Sequence, residues 1–326
     1  HQVWLQPYPK GEPLKITNDL NQYSGLSVTG DGHSFVVTQT DANSTVYTAD
    51  VHSPSGPFTF SAISTGQKHG VFLSWTPDGQ LLQDDTVGLF ISAADGSNRR
   101  QLFVPSGIVS SEVTACSASN SMVFQRILPS NYQVWIADQS GANARQLSSG
   151  PADGVPDCTP DGRWIVYESF PPGEKYGHFI KISSDGGQPL ELARVDALSY
   201  EPRISPDGRS FSYLRYFVGS DPPIFKAIVA DLATGNTLHE YVVPREATQL
   251  KWAPDGESLT YVSGKSQSSS LVRLPLNGKP ASTVLHFDSE PLLIKTYDWS
   301  PDGKELAITR APYHDTDVVM FSIPSK

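Results

Sequence analysis

Trp75-Thr-Pro-Asp-Gly79, Cys158-Thr-Pro-Asp-Gly162, Ile204-Ser-Pro-Asp-Gly208, Trp252-Ala-Pro-Asp-Gly256 and Trp299-Ser-Pro-Asp-Gly303 are five copies of one phrase. Each is followed by strand-forming residues, as in Trp164-Ile-Val-Tyr167 or Leu259-Thr-Tyr-Val262. Two weaker copies complete the series: Val28-Thr-Gly-Asp-Gly32 and Cys116-Ser-Ala-Ser-Asn120, the latter with Asn where a positive φ is next best tolerated after Gly. Taking the last residue as anchor, the copies stand at 32, 79, 120, 162, 208, 256 and 303, with spacings of 47, 41, 42, 46, 48 and 47. Periods in the forties that hold four short strands mark propeller blades. The repeat therefore predicts an all-β fold, a seven-bladed β-propeller of four-stranded antiparallel blades.

The phrase itself is turn chemistry. Proline presets φ at the second turn position, Asp bonds its own downstream backbone, and Gly accepts positive φ. Asp78, Asp161, Asp207, Asp255 and Asp302 thus shape the turns between strands A and B, and that role outweighs a ring of metal ligands, which would be too wide for one ion shell. The large apolar residue four before each anchor is the wedge between blades. The last set of strands, Ile294 to Ile323, ends without a strand D, so residues 12–17 are expected to close the ring as the outer strand of the last blade and remove its open edge. Residues 1–9 then hold a surplus strand, the remnant of an upstream module.

The repeat runs unbroken through 1–326, which predicts a single β-propeller domain, and a monomer. A net charge of −10 with scattered Lys and Arg argues against nucleic acid as a partner. No apolar run approaches the roughly 20 residues of a membrane-spanning helix, so no direct membrane insertion is expected. Cys116 and Cys158 occupy the wedge position of adjacent repeats. At a sheet spacing of ~10 Å they lie beyond disulfide reach, which favours buried free thiols over a bridge.

Candidate binding residues come from the inner strands and the longer loops. Five before the anchors stand Ser27, Ser74, Ala115, Asp157, Arg203, Lys251 and Asp298. Charges there need partners, so Asp157 with Arg203 and Lys251 with Asp298 are expected as ion pairs between neighbouring blades, a structural role weighed above substrate contact. Tyr200 and Glu201 flank the strand A entrance. The stretches Ser169 to His178 and Arg215 to Phe225, with Arg215 and Tyr216, lie on the rim where D–A and B–C loops converge, the default binding face, and solvated loops shaped by proline are the stronger alternative for them. His314-Asp-Thr-Asp317 resembles a local ligand cluster, and a solvated loop is the stronger alternative for it. No G-x-S-x-G, H-E-x-x-H, P-loop or C-x-x-C occurs, which leaves no catalytic residue to name and no cofactor to expect beyond a divalent cation in the channel.

With its Pro-Asp-Gly turns, its Val134-Trp-Ile136 strand and the stretch Asp95-Gly-Ser-Asn-Arg-Arg-Gln-Leu102, the chain resembles the TolB-type propeller family over essentially its whole length. Gln2-Val-Trp-Leu-Gln-Pro-Tyr-Pro-Lys-Gly-Glu-Pro-Leu-Lys-Ile-Thr-Asn-Asp-Leu-Asn21 is similar to the start of the C-terminal propeller of bacterial Ser/Thr kinases and winged-helix regulators. The resemblance implies a non-catalytic sensor or scaffold that binds a protein or small ligand, as a periplasmic or extracytoplasmic module of a signalling protein. The alternative is a metal-dependent lyase or lactonase with its site in the central channel.

Overall fold

A computed structural model describes residues 2–18, 22–41, 43–51, 58–68, 72–85, 88–102, 112–128, 130–196, 199–217, 221, 223–265, 268–287, 292–312 and 315–323. These residues form antiparallel sheets and no helix. Five repeats build a four-stranded sheet from consecutive strands. In the fifth repeat these are strands A to D at Ser199–Ile204, Ser210–Phe217, Ile224–Asp231 and Thr237–Val243. The strand A segments of the second, third, fourth and sixth repeats are Leu73–Trp75, Thr114–Cys116, Asp153–Cys158 and Thr248–Trp252. In the seventh repeat, Leu292–Trp299 and Glu305–Pro312 are completed by Asn43–Asp50 and Phe60–Lys68, far earlier in the chain. The first repeat supplies Gln22–Val28 and Ser34–Asp41, joined by Asp315–Ser322 into a three-stranded sheet.

The turns behave as their residues dictate. Asp207 Oδ1 accepts from Ser205 Oγ at 2.6 Å and from the Arg209 N–H at 3.0 Å, and Asp302 repeats this with Ser300 and Lys304. A Cβ on Gly208 would lie 3.2 Å from Pro160, and one on Gly303 would lie 3.2 Å from Pro254. Each proline thus packs against the glycine of the next turn, and the phrase stacks around one rim. The wedge reading also holds: Trp75 and Ile204 are buried, Trp252 and Trp299 are partly buried, and Trp252 Nε1 donates to the Arg203 carbonyl at 3.0 Å. Apolar clusters bridge successive sheets, as where Val166 and Phe179 meet Phe211, Tyr213 and Ile228.

Bonds between neighbouring strand A segments trace a closed circuit. The Ala115 N–H reaches Ser74 Oγ at 3.1 Å and Thr114 Oγ1 reaches the Pro156 carbonyl at 3.2 Å. The Ile204 N–H reaches Asp157 Oδ2 at 2.7 Å and the Leu250 N–H reaches Glu201 Oε2 at 2.9 Å. Lys251 Nζ reaches Asp298 Oδ1 at 3.0 Å, and Asp298 Oδ2 takes the Trp75 N–H at 2.9 Å, back at the start. The circuit passes through the second to seventh repeats. The first repeat's sheet lies outside it among the described residues, and its wedge, Val28, is 53% exposed.

Closure differs from expectation. Residues 12–17 do not flank the last repeat: Leu14–Lys15 pairs with Trp4–Leu5, which gives the supposed surplus strand a partner, and the Ile16 N–H bonds the Val3 carbonyl at 2.9 Å. A hairpin between segments so close in sequence costs little loop entropy. The seam is filled by Asn43–Asp50 and Phe60–Lys68, whose Val46 joins Leu73, Trp75 and Leu81 in a buried cluster with Ile63 packed beside it. A Cβ on Gly96 would strike the Ile63 carbonyl, just as one on Gly235 would strike the Leu192 carbonyl between the fourth and fifth sheets. Phe60–Lys68 therefore meets the next repeat as a regular strand D does.

The cysteines also depart from expectation: Cys116 and Cys158 form a disulfide with Cα atoms 5.7 Å apart. The ~10 Å sheet spacing describes stacked sheets face to face. Innermost strands converge towards the propeller axis, and there the separation falls within disulfide reach. The bridge spans 42 residues of sequence, a loop for which the chain-entropy account gives about 4 kcal/mol. Reduction, or Cys116→Ser with Cys158→Ser, is expected to lower stability by about 2–5 kcal/mol in urea unfolding, with the far-ultraviolet spectrum unchanged under native conditions. Equal stability of oxidised and reduced protein would show that the bridge does not form.

Candidate functional site

Strand A of several repeats carries an extra residue where its register with strand B shifts, between Gly154 and Asp157, Tyr200 and Arg203, and Thr248 and Lys251. Val155 (φ 50), Glu201 (φ 62) and Gln249 (φ 55) occupy these bulges, each seven before its anchor, where the first repeat has Gly25 (φ 62). Left-handed backbone at a residue with a side chain is costly and persists only when its surroundings enforce it. Here the bulge turns the Glu201 carboxylate across the seam to Leu250, while Arg203, two residues on, lines the channel.

A cavity of about 260 Å3 occupies the channel on the side of the A–B turns. Pro77, Pro160, Pro206, Pro254 and Pro301 rim it, Trp75, Trp252 and Trp299 contribute to its wall, and Ser74, Ala115, Asp157, Arg203, Lys251 and Asp298 ring its inner end. Four of the eight candidate residues thus meet in one cavity, on the rim opposite the expected loop face.

The Lys251–Asp298 pair forms as expected, with side chains 16% and 20% exposed. The direct Asp157–Arg203 pair does not. Asp157 spends its oxygens on the Ile204 and Cys158 N–H groups, at 2.7 and 2.9 Å, because a short carboxylate on the inner strand reaches the adjacent backbone first. The Arg203 guanidinium instead meets Glu112 Oε2 at 3.3 Å. Burial raises the Asp157 carboxyl, and nearby Arg203 offsets part of that rise.

Towards the D–A loops the channel holds a second group that the sequence did not disclose as a unit. Glu168 Oε2 accepts from the Glu201 N–H at 3.3 Å, and Glu201 in turn bonds Leu250, so carboxyls link three successive sheets. Burial, then Glu112, pushes Glu168 up to about 8. Burial pushes Glu201 up to about 7 although Arg203 opposes it. Glu112, at φ 81, sits eight before the degenerate anchor Asn120, where the repeat frame is weakest. Glu168 sits near the end of strand B, and no spacing rule picked it out; its pairing opposite Gly154 brings it to the channel.

The remaining candidates lie elsewhere. Tyr200 packs with the core of the fifth and sixth repeats, and burial lifts its hydroxyl to about 12. Arg215 and Tyr216 belong to strand B, with the guanidinium 4.4 Å from the Phe217 ring and the Tyr216 ring 4.6 Å from Phe225. Most of the loop beyond Phe217 falls outside the described residues, as does His314. In the Ser169 to His178 stretch, His178 Nδ1 meets Glu191 at 2.8 Å and Nε2 meets Glu174 at 3.3 Å. Among the described residues no three His, Cys, Asp or Glu side chains stand close enough to hold a metal ion.

Two opposed pH trends follow. Turn carboxyls such as Asp161 and Asp302 are held at about 2 by the hydroxyls of Thr159 and Ser300 and by backbone N–H groups. Their folded values lie below the unfolded ones, so the stability they give is complete above about pH 4 and lost as pH falls towards 2. Glu168 and Glu201 have raised folded values and bind protons more tightly in the native state, so their stabilisation is fully present below about pH 4.5 and lost as pH rises towards 8. The melting temperature is expected to peak between about pH 4 and 5, and Glu168→Gln should flatten the decline above it. A decline with unchanged slope in that variant would remove Glu168 as its source.

No protein-family model matches the chain, and no curated protein does either. Solved structures do match. A protein assigned as TolB from Agrobacterium tumefaciens is 14% identical, with a TM-score of 0.67 over 87% of this chain and 99% of that one. TolB from Acinetobacter baumannii is 12% identical, with a TM-score of 0.57 over 89% and 79%. An oligogalacturonate lyase in complex with manganese is 15% identical, with a TM-score of 0.57 over 96% of both chains. At these identities the likeness concerns the fold, and it is that of a TolB-like β-propeller.

Proposed function

We propose that this propeller is a non-catalytic binding module that receives a protein segment or a small ligand in the channel mouth on the A–B turn rim. The observation that carries this reading is the cavity itself, a concave site walled by tryptophan and proline whose charged inner end is bonded in place. Lys251 with Asp298, Arg203 with Glu112, and Asp157 with backbone N–H groups are fixed by neighbouring sheets. Such a surface binds with little ordering cost, because its side chains are held before the ligand arrives. The TolB-like fold supports a scaffold role. The Cys116–Cys158 bridge supports an oxidising, extracytoplasmic setting, of which the periplasm is one case.

The test uses Ser117→Trp. Ser117 is exposed and lines the cavity, so the bulkier side chain narrows the mouth without touching the core. In a thermal-shift screen of peptides, sugars and divalent ions, a ligand of this site is expected to raise the melting temperature of the native chain and not that of the variant. A ligand that shifts both equally would place binding elsewhere. Stoichiometric manganese in the purified protein, together with cleavage of an acidic sugar, would replace this reading with the lyase alternative.

A further inference from the structure

The first repeat's sheet carries a surface unlike any other among the described residues. Asp315–Ser322 pairs with Ser34–Asp41 along one side over its full length. Among the described residues nothing pairs with its other side, whereas the six four-stranded sheets each have a strand there. We propose that this edge is a docking site for an extended, cationic segment of another protein, which adds to the sheet as its fourth strand.

The backbone provides the template, a row of N–H and C=O groups that an incoming strand can pair. Natural edges are blunted with Lys, Pro or a bulge. This strand, Asp315-Thr-Asp-Val-Val-Met-Phe-Ser322, holds neither Lys nor Pro and runs in unbroken register. Val318 and Met320 alternate along it at 75% and 66% exposure, while Val319 and Phe321 turn to the opposite face and pack with Phe35 and Val37. An added strand with apolar residues at alternate positions would cover Val318 and Met320 on one face, and its other residues would stand on the face that carries Asp317.

Charge selects the occupant. Asp317 is exposed on this strand, and the chain as a whole carries a net charge of −10. A strand that sets Lys or Arg at alternate positions, one of them beside Asp317, meets an opposite charge there. A second copy of the chain would bring the same acids and another net charge of −10 to the contact.

The probe is a labelled ten-residue peptide alternating Val and Lys, compared with one alternating Val and Glu, each titrated into the full chain at low salt. The Val/Lys peptide is expected to bind at least about ten-fold more tightly and to slow amide hydrogen exchange within residues 315–322. Asp317→Lys should weaken it roughly ten-fold and Asp317→Asn by less, with circular dichroism and melting confirming that both variants fold. Ser117→Trp should leave it unchanged, so failure here is distinguishable from failure at the cavity. Equal affinity for the two peptides, protection confined to other segments, or indifference to Asp317→Lys would each overturn the proposal. Protection of 315–322 that grows with protein concentration in the absence of peptide would overturn it too, by assigning the edge to a second copy.

Discussion

The structure depends on one recurring bond, in which a side-chain oxygen on an innermost strand accepts a backbone N–H from the innermost strand of the next sheet. Such a strand has a partner on only one side, so its inward N–H groups need other acceptors. Ser74, Asp157, Glu201 and Asp298 supply them at four seams. Each bond adds a modest net stabilisation, but a buried donor left without an acceptor would cost more than the bond returns. Side-chain packing gives each seam its area, and these bonds set the position of one sheet against the next.

The same constraint shapes the channel. At the seam bridged by Glu201 a bulge aims the acceptor, and like bulges hold Val155 and Gln249 in left-handed backbone. Carboxyls drawn towards the axis lose water, which accounts for the raised titration of Glu168 and Glu201. What stays open is the turn-side cavity, where ring geometry leaves space that the side chains do not fill. The cavity is thus a by-product of closure, and its polar groups are already committed to neighbouring sheets.

Much of this was legible in the sequence. The Pro-Asp-Gly period revealed the sheets, their turns and the wedge, because turn chemistry and burial are local and repeat with the blade. The position five before each anchor identified Asp157, Arg203, Lys251 and Asp298, since alternation along a strand fixes which residues face the axis. Three features escaped because they depend on distances between repeats. The disulfide arises from convergence near the axis, which a uniform sheet spacing ignores. Arg203 pairs with Glu112, whose repeat has the least regular anchor. Closure by Asn43–Asp50 and Phe60–Lys68 reflects competition among chain segments for one seam, and neither period nor propensity ranks those competitors.

The central claim, that channel carboxylates hold the sheets together, is tested most directly at Asp298, which accepts from Trp75 on one side and pairs with Lys251 on the other. Urea unfolding of Asp298→Ala and Asp298→Asn should show the alanine variant about 3–5 kcal/mol less stable than the native chain, since it strands both partners. The asparagine variant should fall between the two, because its amide oxygen still accepts the Trp75 N–H. Native stability in Asp298→Ala would contradict the account and return Asp298 to the role of a ligand-binding group.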